Sequence, residues 1–190
     1  MEKSTGGRFN RTTIIIGLIV LAFIVGFAAI VIIDSQQQQG TGEVEGVEEF
    51  EVVSGVNNHT QDTVDYDQDP PAGGEHNPVW QNSGFYDAPV RSENAVHTME
   101  HGAVWITYSP DLPQDQIDVI QGMVEGETCL IASPYPDLDS PIVASAWGYQ
   151  ARLESADDPN LERFISRYQK GSQTPEPGAT CTGGIADPAA

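Results

Sequence analysis

The sequence predicts an α+β fold in which one N-terminal transmembrane helix precedes a small mixed β-sheet, covered by two helices and carrying a long Pro- and Gly-rich loop segment. Three observations lead to this class. A run of uncharged apolar residues lies near the N-terminus, short segments farther on are rich in β-branched and aromatic residues, and two others repeat apolar residues at helical spacing. The length of 190 residues fits one domain with appendages.

The apolar run extends over 20 residues from Ile14 to Ile33. A helix of this length spans about 30 Å, the thickness of the hydrocarbon core of a bilayer. The apolar part of a secretory signal peptide is only about 7–15 residues long and ends at a small-residue cleavage site, which is poorly matched here. We therefore predict a retained anchor that binds the bilayer and makes the chain a single-pass protein of the cell membrane.

The charges on either side of this run predict its orientation. Asp34 follows the run, and three basic residues precede it: Lys3, Arg8 and Arg11. Because basic flanks stay in the cytoplasm, the N-terminus should be cytoplasmic and the C-terminal domain extracytoplasmic. The predicted organisation is a cytoplasmic N-terminus (1–13), a transmembrane helix (14–33), a polar acidic spacer (34–54), a globular domain (55–185) and a tail (186–190).

The chain is strongly acidic, with 28 Asp and Glu against eight Lys and Arg and a formal net charge of −20. From Asp34 onward the balance is five basic against 27 acidic residues, so the net charge of the predicted extracytoplasmic part is −22. Nucleic-acid binding requires clustered Lys and Arg, so this composition excludes it as an expected function. An acidic surface attracts cations or a basic partner.

The long loop segment extends from Asp65 to Val90 and is dense in turn-forming residues. Disordered segments are poor in aromatic residues, whereas this one contains Tyr66, Trp80, Phe85 and Tyr86. The aromatic content favours a functional loop held on a scaffold over a disordered segment.

The regular elements follow this loop. Ala103 to Tyr108 is a β-branched and aromatic run, typical of a strand, and a helix begins after Asp111-Leu112-Pro113 and ends at Gly126. Two more strands, 129–133 and 142–153, precede a last helix that begins at Asp158-Pro159. In this order, the crossover connection predicts a parallel first pair of strands, and the following step predicts an antiparallel one.

The two cysteines, Cys129 and Cys181, both lie on the predicted extracytoplasmic side. An even number of cysteines in an oxidising compartment predicts a disulfide. The alternative, a pair of thiolate metal ligands, requires a reducing compartment or bound copper.

All four histidines fall between positions 59 and 101, and the tightest group is His97-Thr98-Met99-Glu100-His101. In a helical turn His97 and His101 share a face, whereas in a strand His97, Met99 and His101 project to one side. Imidazoles with a thioether suit copper, and His76 adds a third imidazole; zinc is the second choice of metal. Glu100 is either a ligand or the acceptor that fixes the tautomer of a ligating histidine.

Two other interpretations of the histidines remain open. The pattern H-x-x-E-H matches the inverted zinc-protease signature, but Gly102 and a strand follow at once and leave at most one helical turn for it. Alternatively, the histidines are structural and bind loop carbonyls. The sequence favours metal binding, in metal handling or in support of a membrane redox complex, over enzymatic activity. The alternative function is that of a non-catalytic accessory subunit of a membrane protein complex.

Several separated motifs resemble one known family. They are the Pro70–Trp80 segment PPAGGEHNPVW, Gly84-Phe85-Tyr86, the His97–Gly102 segment HTMEHG, Pro134-Tyr135-Pro136, Ala146-Trp147-Gly148 and the Cys181–Gly184 segment CTGG. Over about residues 48–185 the chain resembles the domain of unknown function 3105 family. This resemblance implies a bacterial or archaeal protein, often with one N-terminal membrane segment, and no assigned activity. The family pattern includes the histidines that match His76, His97 and His101 and the acid that matches Glu100.

Overall fold

The structure of the chain is a computed structural model that describes residues 17, 20, 21, 43–52 and 58–188. The chain divides into two units, Met1–Gln39 and Gly40–Ala190, and the fold reported below is that of the second. Of the first unit, the described residues Gly17, Val20 and Leu21 are helical. The rest of the predicted Ile14–Ile33 anchor lies outside the described residues. Among the residues that are described, no helix is long and apolar enough to cross a membrane.

The described part of the second unit contains six strands and three helices. In chain order they are β1 (Val47–Glu49), β2 (Gly84–Phe85), α1 (Ser92–Glu100), β3 (Val104–Tyr108), α2 (Gln114–Val124), β4 (Leu130–Pro134), β5 (Ile142–Ala146), β6 (Tyr149–Leu153) and α3 (Pro159–Tyr168).

The strands form one mixed sheet in the order β1-β6-β5-β3-β4-β2. β3 is parallel to β4, as the crossover through α2 predicts, and β4 is also parallel to the short edge strand β2. The next strand, β5, is antiparallel but pairs with β3 rather than with its sequence neighbour β4. β6 and then β1 extend the sheet by antiparallel pairing.

The central strands are covered on both faces, and every residue of β3, β4 and β5 is buried. Alternate residues of β3 face opposite sides. Val104 and Ile106 pack in a core with α2 and α3, whereas Trp105 packs in a second core with α1. Two helices therefore cover one face and the third helix covers the other, so the prediction of two helices is corrected to three.

Helix α1 was not predicted as an element because it lacks a clear apolar stripe. Its sequence SENAVHTME is buried from Glu93 to Met99, polar residues included. The loop segment covers its polar side: the Thr98 hydroxyl donates to the Gln81 carbonyl oxygen at 2.7 Å, and Gln81 N–H donates to Asn94 O at 3.0 Å. A helix buried between a sheet and a loop does not need the one-sided pattern of a surface helix.

The predicted long strand 142–153 is in fact a hairpin of β5 and β6. The chain reverses at Trp147-Gly148, between Ala146 and its partner Tyr149. Gly148 has φ +78°, a value that glycine adopts far more readily than other residues, and this backbone conformation ends the first strand. The residues on both sides of the turn have high β-propensity, so the sequence predicts one continuous strand where the structure has two.

Part of the predicted spacer belongs to the sheet. β1 lies within 34–54 and pairs with β6, with Glu49 opposite Tyr149. The Tyr149 hydroxyl donates to Glu49 Oε1 at 2.9 Å, and the guanidinium of Arg152 lies 3.2 Å from Glu48 Oε2. Cross-strand partners thus stabilise this edge strand.

The loop segment lies against the sheet, as its aromatic content predicts. Ala72, Tyr86 and Val90 are buried. Gly148 N–H donates to Ala72 O at 2.7 Å, and the Gln150 side chain donates to Pro70 O at 2.6 Å. These bonds satisfy backbone groups of a loop that has little regular structure of its own.

Cys129 and Cys181 form a disulfide with their Cα atoms 5.1 Å apart. The bond attaches the residues after α3 to the sheet; these residues, 169–188, include the described part of the predicted 186–190 tail and are called the C-terminal tail below. The C-terminal tail then runs beside the loop segment. Ser83 N–H donates to Cys181 O at 2.8 Å, and Ile185 N–H donates to Trp80 O at 2.9 Å.

Candidate metal centre

Three histidines and one glutamate converge where helix α1 meets the loop segment. Each of His59, His76, His97 and Glu100 offers one ligand atom, and these four atoms all lie within 4.8 Å of one another. We refer to these four residues as the His/Glu cluster. Such a set of three nitrogens and one oxygen has the composition and spacing to hold a metal ion.

Helix α1 positions two members of the cluster. His97 and Glu100 are three residues apart and therefore share a face of the helix. The helix ends directly afterwards, because Gly102 has φ +102° and leaves the helical conformation. Glycine suits this position, since a Cβ atom there would lie 3.0 Å from the Cα of Lys170. Lys170 N–H donates to Gly102 O at 2.7 Å, which anchors this end of the helix.

Irregular chain positions the other two members: His76 lies in the loop segment, and His59 lies a few residues before it. His59 and His76 face each other in an isolated parallel bridge. Thr60 N–H donates to His76 O at 2.7 Å, and His76 N–H donates to Asn58 O at 2.9 Å. The His59 ring centroid lies 4.9 Å from that of His76 and 5.0 Å from that of His97. Residues far apart in sequence thus bring three imidazoles into contact.

Backbone carbonyls determine the tautomers of the buried histidines. His76 Nδ1 lies 2.7 Å from Gly74 O, and His97 Nδ1 lies 2.6 Å from Asn77 O. A carbonyl oxygen only accepts, so each Nδ1 carries a hydrogen, and Nε2 of a neutral ring keeps its lone pair. Ligating histidines are oriented in this way in metal proteins.

Nε2 of His76 is the most telling atom of the cluster. The residue is fully buried, and the partner of Nε2 among the described residues is Glu100 Oε2, 3.0 Å away. In the neutral tautomer with its hydrogen on Nδ1, Nε2 has no hydrogen to donate and is left without a hydrogen bond. A lone pair and a carboxylate repel each other at this distance unless a cation, either a proton on Nε2 or a metal ion, stands with them.

The pKa values within the cluster diverge. Burial lowers the pKa of His97 to about 4, an effect that the neighbouring imidazoles reinforce, so this ring is neutral near pH 7. Burial also acts to lower the pKa of His76, but Glu100 and the Gly74 carbonyl outweigh burial and raise it overall. The pKa of Glu100 is lowered in spite of its burial, because His76 hydrogen-bonds to it and the histidines stabilise its negative charge. Without a metal, a proton on His76 compensates Glu100.

His101, predicted as a ligand, lies beside the cluster and outside it. Its ring centroid is 4.6 Å from that of His97, as their helical spacing requires. Its Nδ1 donates to Thr180 O at 2.7 Å, and its Nε2 lies 3.5 Å from Glu176 Oε2. Both nitrogens therefore face the C-terminal part of the chain.

Met99, also predicted as a ligand, is placed in the apolar core. It is fully buried and packs with Trp105 and Ile131. Two residues along a helix point about 200° apart, so Met99 faces the sheet while His97 faces the loop. The strand alternative would have put both on one side, and the chain is helical here.

The zinc-protease pattern does not describe this arrangement. Helix α1 has nine residues, more than the single turn expected. Of the two histidines in the pattern, His97 belongs to the cluster and His101 does not, while Glu100 contacts His76, a histidine outside the pattern.

His59 is the member of the cluster that the sequence did not indicate. It joins through a bridge to His76, 17 positions away along the chain, and no local periodicity relates two residues of an irregular loop. The available signal was compositional: His59 belongs to the same 43-residue stretch as the other histidines.

The comparison with protein families gives one match. A family model described as "Protein of unknown function (DUF3105)" matches residues 58–183. The chain belongs to this family. The matched residues include all four members of the His/Glu cluster and both cysteines of the disulfide. No curated protein matches the chain, and neither does any solved structure.

Proposed function

We propose that this domain binds one transition metal ion through His59, His76, His97 and Glu100. The observation that carries the proposal is the buried Nε2 of His76, which faces a carboxylate oxygen of Glu100 at 3.0 Å and has no hydrogen bond while the ring is neutral. A metal ion bound there satisfies both atoms and uses the neutral His97 ring as a further ligand.

The donor set favours Cu(II) or Zn(II). Imidazole nitrogens suit both ions, and a carboxylate oxygen is a common additional ligand. Sulfur ligands, which Cu(I) prefers, do not belong to the cluster, because Met99 is in the core and both cysteines are joined to each other. We propose copper first and zinc second.

The proposal includes a location and a role. The Ile14–Ile33 run supports a membrane anchor, and its basic N-terminal flank supports an extracytoplasmic domain. The disulfide supports the same side, because disulfides persist in oxidising compartments. On that side, a metal site on a membrane-anchored domain suits metal handling or the support of a membrane redox complex.

The test measures Cu(II) and Zn(II) binding to the full-length chain, by equilibrium dialysis with metal analysis and by chelator competition. We expect one ion per chain. His97→Asn keeps an amide nitrogen near the position of Nδ1 to donate to Asn77 O, and removes Nε2. The loss of a residue that hydrogen-bonds to a metal ligand costs about 10–100-fold in metal affinity. The loss of the ligand His97 itself should therefore lower the affinity by at least about tenfold.

The matched control is His101→Asn, on the same helical face. Its Nδ1 also donates to a backbone carbonyl, that of Thr180, but its Nε2 lies outside the cluster. We expect this variant to bind the metal as the wild type does. Equal binding by wild type and His97→Asn would overturn the proposal, and so would a wild-type chain that binds neither ion.

A further inference from the structure

The four members of the His/Glu cluster differ in how they are held. His76 and His97 are buried, and each donates from Nδ1 to a carbonyl oxygen at 2.6–2.7 Å. The Glu100 side chain is 14 % exposed and lies on the last turn of α1. Three of the four ligand atoms thus belong to side chains whose positions are set from inside the protein.

His59 is the exception, because it is the exposed member of the cluster. No hydrogen bond reaches its ring from the residues that the structure describes, so ring contacts with His76 and His97 determine its position. Among the described residues, the backbone hydrogen bonds of the bridge, Thr60 N–H to His76 O and His76 N–H to Asn58 O, flank His59 on either side. An imidazole held in this way can leave a metal ion without disturbing the other three ligands.

The consequences of removing each ligand therefore differ. Removal of the His97 or His76 side chain would leave a gap at a buried position, which a molecule from solution reaches less readily than the exposed position of His59. Removal of the His59 ring opens the metal ion to solvent on one side while three ligands remain. A small nitrogen donor from solution can then occupy the vacated position.

We propose that the position of His59 is the exchangeable coordination position of the site, and that it accepts a monodentate imidazole from outside the chain. This inference rests on the proposed metal binding. It divides the cluster into three fixed ligands, His76, His97 and Glu100, and one exchangeable ligand, His59, on whose side the ion enters and leaves. The ligand class that replaces His59 is the imidazole group, because it reproduces the donor that it displaces.

The test loads the full-length chain with Cu(II) and follows electron paramagnetic resonance with ¹⁵N-labelled imidazole as the probe. We expect His59→Ala to weaken Cu(II) binding by about tenfold or more. Added imidazole should bind the copper of this variant, change its nitrogen hyperfine pattern according to the label, and restore the wild-type spectrum. The matched variants His97→Asn and His76→Asn should bind copper weakly and should not regain the wild-type spectrum with imidazole.

The outcomes separate the two proposals. A wild-type chain that binds no copper overturns both. If the wild type binds copper, any of three results overturns the proposal of an exchangeable position. His59→Ala could bind copper as tightly as the wild type, or imidazole could fail to bind the copper of this variant. Imidazole could also restore the spectra of all three variants equally. His59 is exposed, so its variant should fold, and circular dichroism together with thermal unfolding verifies this for every variant. Should either Asn variant unfold, the imidazole response of His59→Ala alone decides the result.

Discussion

Glu100 supplies the negative charge of the His/Glu cluster, 3.0 Å from His76 Nε2. Glu100→Gln keeps the shape of the side chain and removes its charge. We expect the affinity for Cu(II) or Zn(II) to fall by about tenfold or more, since carboxylates that bind or orient metal ligands contribute this much. Chelator competition measures the change. The control is Glu176→Gln, which removes an exposed carboxylate paired with His101 and should leave the affinity unchanged.

Glu93 is a buried carboxylate on the same helix, and its role is structural. Oε1 accepts from Val64 N–H at 2.9 Å, and Oε2 accepts from Arg91 Nε at 2.9 Å. Burial alone would raise its pKa, but these hydrogen bonds outweigh burial and lower the pKa overall. Because the folded pKa lies below the unfolded value, the stabilisation is complete above the unfolded pKa and is lost as the pH falls through the folded one.

We therefore expect Glu93→Gln to lower the free energy of unfolding at pH 7 by about 1.5–3 kcal/mol, the range for hydrogen bonds to a charged group. The difference from wild type should shrink below about pH 4.5, the ordinary pKa of the group. Urea unfolding between pH 3.5 and 7 measures it. Glu125→Gln, at an exposed carboxylate after α2, makes the same charge change and should alter stability by less than about 0.5 kcal/mol. A difference that does not vary with pH would contradict the assigned role.

The individual members of the His/Glu cluster show where the sequence is informative about a candidate site. The sequence is enough to propose His76, His97 and Glu100 as parts of a metal site, because histidine and glutamate residues close to the start of one strand are typical of metal binding. The positions of Met99 and His101 outside the cluster could not be predicted. They depend on whether 97–101 is a strand or a helix, and on a hydrogen bond from His101 to Thr180, 79 positions away. His59 could not be found, because a bridge between two irregular segments has no local signal.

At the scale of the elements, the N-terminus of α3 shows most clearly how local sequence determines where a helix begins. Asp158 accepts from Asn160 N–H at 2.9 Å, and Pro159 occupies the first turn. The side chain thus binds an N–H group that has no partner inside the helix. We expect Asp158→Ala to lower the free energy of unfolding by about 1 kcal/mol, whereas Asp158→Asn, an equally good cap, should retain most of it. Urea unfolding compares them; equal losses in both variants would mean that capping is not the cause.

The elements that the sequence predicts well are those whose own residues mark both their type and their bounds. α2 and α3 have a proline at their start and apolar residues at helical spacing, and β3 and β4 are short β-branched or apolar runs. The predicted bounds of β3, α2 and β4 and the predicted start of α3 therefore agree with the structure to within one or two residues. α1 and β1 depend instead on tertiary partners. The polar residues of α1 are buried by the loop segment, and β1 is a three-residue strand that exists through its pairing with β6. The order β5-β3-β4 likewise arises from long-range pairing.

At the scale of the whole second unit, the disulfide joins the C-terminal tail to the sheet that supports the cluster. Cys129 precedes β4 and Cys181 lies 52 positions later, and both are buried. Closing a loop of this length stabilises a fold by about 4 kcal/mol, chiefly by restricting the unfolded chain. The tail contributes few apolar contacts of its own, and Ile185 is exposed. Its attachment to the sheet therefore depends on the covalent bond and on a few hydrogen bonds to the loop segment.

Replacement of both cysteines by alanine should therefore lower the unfolding temperature of the full-length chain by roughly 10 °C, at about 2–4 °C per kcal/mol for a domain of this size. Metal affinity should change little, because His97 and His76 are oriented by carbonyls of the loop segment, whereas the hydrogen bond from a described histidine to the tail is that of His101, outside the cluster. Differential scanning calorimetry and chelator competition measure the two effects separately. Dithiothreitol should lower the unfolding temperature of the wild type and leave that of the double variant unchanged. A large loss of metal affinity with little loss of stability would show that the tail, through His101, belongs to the metal site after all.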